Sequence, residues 1–119
     1  MNGKKRVDIV RHRVEVNVDA DGRLVCTPCC VHAAPGDRIT WVPEGARPLA
    51  VIIKAFEGPL ESREMTAGAH GTPIETSVRL DAKPGFYPYA AVMPGGDGLL
   101  VADPEIIVPP PDGRGGGGR

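Results

Sequence analysis

Four soft donors fall within seven residues, Cys26-Thr27-Pro28-Cys29-Cys30-Val31-His32. A Cys-x-x-Cys spacing lets two thiolates reach one ion at about 2.3 Å when the backbone turns between them, and Pro28 favours such a turn. His32 stands two residues after Cys30, on the same face of a strand. Thiolates with an imidazole suit Zn²⁺ or Cu(I). Cys26, Cys29, Cys30 and His32 are therefore the candidate metal ligands. A closed zinc site asks for a second ligand pair, and His12 is the only obvious recruit. The competing use of these cysteines is as small buried hydrophobes, and that is the expected one. A redox pair would want a thiol at a helix N-terminus, where no helix is predicted.

Other reactive side chains are sparse. His12 lies on the apolar face of its strand and is expected to be a satisfied buried or edge histidine. His70 sits in the small-residue loop Ala67–Pro73; with Met65 it would make a weak surface site for copper. Glu57, Glu61 and Glu64 form an acidic run, and one helical turn over residues 59–65 would put Glu61 and Glu64 on one solvated face. Ser62 and Ser77 are the only serines, and neither sits in a Gly-x-Ser-x-Gly elbow. Gly95-Gly96-Asp97-Gly98 lacks the Lys-Ser/Thr and following helix of a phosphate loop, so it is expected to be a hairpin-like connection. Trp41, Phe86, Tyr87 and Tyr89 alternate between core and surface rather than forming a base-stacking platform. No catalytic residue emerges, and an enzyme is not expected.

The elements that must position these residues are strands. Val10, His12, Val14, Val16 and Val18 alternate with polar residues, the period of a half-buried strand. Val7 and Ile9 are out of phase, which predicts a break near Ile9–Val10. Asp19–Gly22 and Ala34–Asp37 are turns. Strand pieces follow at Arg23–Val25 and Cys29–Ala33, with Pro28 at a break, and at Arg38–Val42. Leu49–Phe56 is nearly continuous in apolar character, which predicts a central strand covered on both faces. Glu57–Pro73 is a long connection holding the helical turn. Further strands run over Ile74–Leu80, Phe86–Met93 and Leu99–Val108, the last broken near Asp103-Pro104.

Composition agrees with this pattern. The 119 residues (12.5 kDa) suit one domain, and 41% hydrophobic content is too much for a wholly disordered chain. Sixteen glycines and thirteen prolines with 4% aromatic residues favour short strands and many turns over helical bundles. Seven or eight strands predict an all-β, antiparallel Greek-key sandwich over residues 7–108; a small barrel is second. Residues 1–6 are expected to be a flexible N-terminus and 109–119 a disordered Pro/Gly-rich tail. The net charge of −1 disfavours a nucleic-acid binder. The basic start, Lys4, Lys5, Arg6, Arg11 and Arg13 against Asp8, is expected to be solvated. No apolar run approaches the ~18 residues of a membrane span. Charged residues interrupt any signal-like start, so a cytoplasmic protein with reduced thiols is expected.

The order of these pieces resembles the cupredoxin-like fold. The resemblance rests on Ala34-Pro35-Gly36-Asp37-Arg38-Ile39-Thr40-Trp41, a turn and a strand ending in Trp. It rests also on Pro84-Gly85-Phe86-Tyr87-Pro88-Tyr89-Ala90-Ala91-Val92, the Pro94–Gly98 loop and a final apolar strand. The family implies a type 1 copper site of two His, one Cys and usually an axial Met. Here Val42–Ile53 holds no His, Ala90-Ala91 replaces the Cys, and residues 92–108 hold no His. Met93 alone survives as a conceivable axial ligand. The expectation is a copper-free, non-enzymatic binding or assembly module with no bound cofactor. It would engage a protein partner or itself through the Glu57–Pro73 and Pro94–Gly98 loops or an edge strand, with neither nucleic acid nor membrane. The alternative is a Zn or Cu(I) protein built on the cysteine cluster.

Overall fold

The computed structural model describes residues 9–45, 47–55, 57–67 and 71–110. The expectations for the N-terminus, for His70 and for the tail from residue 111 onward fall outside these residues. Valines alternating with charged residues make Arg11–Val18 the strand β1, with Val14 and Val16 fully buried. Asp19 then reverses the chain: its Oδ1 accepts from the amides of Asp21 and Arg23, both at 2.9 Å. Gly22 takes φ 80°, a left-handed conformation open to glycine. Strand β2 (Leu24–Thr27) returns antiparallel to β1, with Cys26 opposite Val16. The Thr27–Pro28 peptide bond is cis.

The chain crosses to the second sheet as β3 (Cys30–His32) and returns as β4 (Arg38–Pro43) beside β1. Strand β7 (Ile74–Ser77) completes a sheet of order β2-β1-β4-β7. The second sheet contains β5 (Leu49–Ile53), β6 (Glu64–Ala67), β8 (Gly85–Pro94), β9 (Leu99–Ala102) and β10 (Glu105–Val108). Its order is β3-β10-β8-β5-β6, with β9 also pairing β8. The core lies between the two layers. Val14, Val16, Ile39 and Trp41 face Val51, Ile53, Tyr89, Ala91, Met93 and Ile106. The result is an all-β sandwich, and no described residue is helical.

Four local expectations change. The described residues form ten strands: the expected breaks at Pro28 and Asp103-Pro104 are present, and the unexpected strand is β6, within the Glu57–Pro73 connection. Two pairings, β1 with β4 and β10 with β3, are parallel rather than antiparallel, because the chain changes sheet between the partners. β5 is central, between β8 and β6, but only one face is covered; Ile52 points outward. No helical turn forms over residues 59–65. Leu60 bridges Val78, and Glu64–Ala67 pairs β5 instead. One helical turn carries the cost of nucleation without propagation, whereas a strand beside β5 satisfies its backbone through the ladder. Glu61 and Glu64 are both exposed, as expected of a solvated run.

Candidate functional site

The sequence-predicted ligands separate along the strand period. Cys26 points into the core and is 6% exposed, while Cys29 is exposed and Cys30 partly so. His32 lies outside on β3, one strand position beyond buried Val31. Two sulfurs do meet: Cys29 Sγ donates to Cys30 Sγ at 3.9 Å. That shared hydrogen bond, with slight desolvation and the nearby Glu105 charge, holds the Cys30 thiol above its ordinary value. The backbone behind them is pinned, because the amide of Glu105 donates to the carbonyl of Cys29 at 3.0 Å. Among the described residues, no three or more His, Cys, Asp or Glu side chains group to hold a metal ion. The four-ligand arrangement is thus replaced by a surface dithiol and a separate buried thiol.

Cys26 belongs to a buried polar cluster that spans the sandwich. Trp41 Nε1 on β4 donates to Tyr89 Oη on β8 at 2.9 Å, and the rings meet edge to face at 5.5 Å and 72°. The Cys26 thiol lies near the Tyr89 hydroxyl, close enough for each to influence the other's titration. Burial pushes Cys26 up to about 11 and Tyr89 well above the usual phenol range. The cysteine is a core residue. Its raised value favours the protonated form in the folded state only. Stability should therefore be intact below about pH 9, where both states are protonated, and fall as pH rises toward about 11. We expect a loss of about 2–3 kcal/mol across that window, visible as a steeper alkaline decline of the urea midpoint than in Cys26→Ala. Parallel pH profiles would contradict it.

His12, the recruit for a zinc site, is already partnered. Its Nε2 lies 2.8 Å from Asp37 Oδ2. Asp37 is 6% exposed and also accepts from the amides of Ala34 at 3.0 Å and Val10 at 3.3 Å. One carboxylate thus ties the start of β1 to the turn before β4. Sequence inspection placed Asp37 in the turn but missed its inward aim; a carboxylate at the end of a Pro-Gly-Asp turn beside a histidine-bearing strand was the available signal.

The residues present do not fit a blue-copper centre. Ala90 and Ala91 are buried methyl groups on β8 with no donor to offer. Met93 is fully buried. Its sulfur is met by the chain's own cation, the guanidinium of Arg47, at 3.9 Å. Arg47 lies in the stretch where the resemblance implied a ligand histidine, and nothing in the local pattern signalled that it would reach Met93. A thioether with two alanines cannot supply the thiolate and imidazoles that bind and tune such a copper.

No protein-family model matches the sequence, and no curated protein matches it. The structure is similar to that of a purple cupredoxin from Nitrosopumilus maritimus, with TM-score 0.54 and 13% identity, covering 82% of this chain and 98% of that one. It is also similar to a pseudoazurin from Sinorhizobium (TM-score 0.47, 22% identity, 87% and 78% covered). A third similar structure is a methionine-to-glutamine mutant of amicyanin with Cu(I) (TM-score 0.48, 16% identity, 81% of each chain). Taken with the two-sheet sandwich and its buried Trp41–Tyr89 pair, the likeness to the purple cupredoxin shows that this chain has a cupredoxin-like fold.

Proposed function

We propose that the chain is a non-enzymatic binding and assembly module without a blue-copper site that associates with a second copy through the outer face of its second sheet. The observation that carries this is the chemistry of that face. The outward residues of β8 are Phe86, Pro88, Ala90, Val92 and Pro94, without a charge among them. Across the ladder stand Ile107 beside Phe86, Glu105 beside Pro88, Ile52 beside the largely covered Ala90, Val101 beside Val92, and Leu99 beside Pro94. Phe86 is 71% exposed, Leu99 69% and Val101 52%. Apolar side chains this contiguous mark interaction surfaces. Phe86, Val92, Leu99 and Val101 on this face are uncharged, and a two-fold axis would set these apolar rows on one another, with the Glu105 and Glu64 carboxylates beside them. The proposed contact lies on a sheet face, where the sequence suggested the loops or an edge strand. Free thiols at Cys26, Cys29 and Cys30 accord with a reducing, cytoplasmic setting.

Sedimentation velocity over a concentration series tests this. The native chain should shift from monomer to dimer, and the double substitution Phe86→Glu/Val101→Glu should remain monomeric with an unchanged far-UV spectrum. Both sites are exposed, so folding should survive the added charges. A native chain that stays monomeric at the highest concentrations would sink the assembly reading.

A further inference from the structure

We propose that Cys29 and Cys30 form an open two-thiolate site for a soft monovalent cation of the Cu(I) type. The two sulfurs stand 3.9 Å apart at the surface, and bonds of about 2.3 Å would then subtend roughly 116° at the metal. That angle suits a three-coordinate ion. The other two predicted ligands do not converge with them: Cys26 is buried in the core, and His32 lies farther along β3. Structural zinc requires four ligands, whereas a soft d¹⁰ cation is satisfied by thiolates at lower coordination. The vacant third position opens to solvent, so an external thiol can enter there and the ion can exchange.

The surroundings fit a cation. Cys29 lines a hollow of about 250 Å³ with Cys26, Leu24, Val25, Ala102, Asp103 and Pro104. Glu105 sits opposite Cys30 across the β3–β10 ladder. Two carboxylates thus flank the dithiol, one of them, Asp103, ion-paired with Lys54. Binding forms two metal–sulfur bonds and releases two thiol protons to solvent, with no change in oxidation state.

This assignment does not rest on self-association, although Cys30 lies at the rim of the same sheet face. Titrations are therefore also run in the Phe86→Glu/Val101→Glu background, which removes the proposed dimer contact. Under anaerobic conditions, Cu(I) is partitioned between the protein and a chromophoric Cu(I) chelator. The expected result is one Cu(I) per chain in both backgrounds. Cys29→Ser and Cys30→Ser should each weaken binding at least roughly 100-fold. Cys26→Ala should change it by less than about threefold, and Zn²⁺ alone should be held far more weakly than Cu(I). Failure to capture Cu(I), equal loss with Cys26→Ala, indifference to both serine substitutions, or a preference for zinc would each overturn the two-thiolate assignment.

Discussion

Trp41→Ala will lower the free energy of unfolding by about 3–5 kcal/mol, the usual cost of emptying an aromatic site in a core. Trp41 is fully buried at the middle of the first sheet, between Val14 on β1 and Ile74 on β7. Its indole reaches across the sandwich to Tyr89, so the substitution also leaves the phenol hydroxyl without its donor. Domains of this size hold only about 5–15 kcal/mol in reserve, so the variant will sit near the limit of folding. Tyr89→Phe separates the two contributions. It keeps the ring and removes the acceptor, leaving the buried indole N–H unpaired, and should cost about 1–3 kcal/mol. Trp41 is the sole tryptophan, so urea unfolding must be followed by far-UV circular dichroism. A loss under about 1 kcal/mol for Trp41→Ala would show that the layers are not held by this contact.

The second large effect is expected at Asp37. Asp37→Ala should cost about 2–4 kcal/mol, because it strands the amide of Ala34 and the His12 ring together. His12→Ala should cost less, about 1–2 kcal/mol, since the carboxylate keeps its backbone donors. The difference between the two is the informative quantity. If they prove equal, the carboxylate acts through His12 alone and does not brace the turn. Asp37→Asn should fall between them, because the amide retains one oxygen to accept with.

Much of the fold was legible because period-two patterns report burial directly. Val14 and Val16 on β1, Ile39 and Trp41 on β4, and the turns at Asp19–Gly22 and Ala34–Asp37 follow from side-chain type alone. Even the break at Asp103-Pro104 was written in the chain, since Pro104 has no N–H for the ladder. The misreadings share one cause. Leu49–Ile53 is apolar on both faces, which suggested cover on both sides. Apolar character shows what a residue tolerates, not what the rest of the chain provides, and nothing in the described residues lies over Ile52. The predicted helical turn failed for the same reason: a neighbouring strand edge was invisible in the local sequence.

The candidate site divides along the same line. The absence of a type 1 copper ligand set was decided by the sequence, because no arrangement of Ala90, Ala91 and Met93 supplies a thiolate or an imidazole. That much needs only the identity of side chains at positions fixed by a shared strand order. The cysteine cluster was ambiguous. Spacing allowed Cys26, Cys29, Cys30 and His32 to converge, yet the same spacing allowed them to diverge, because a few turned residues at Thr27–Cys29 decide which face each side chain takes. Only the tertiary structure sent Cys26 inward to Tyr89, left Cys29 and Cys30 together at the surface, and committed His12 to Asp37. Partners such as Trp41 with Tyr89, 48 residues apart, or Arg47 with Met93, 46 apart, are set by how the two sheets stack. Residue identity and alternation are local and the sequence determined them; which distant side chains meet depends on sheet order and register, and those exist only in the folded chain.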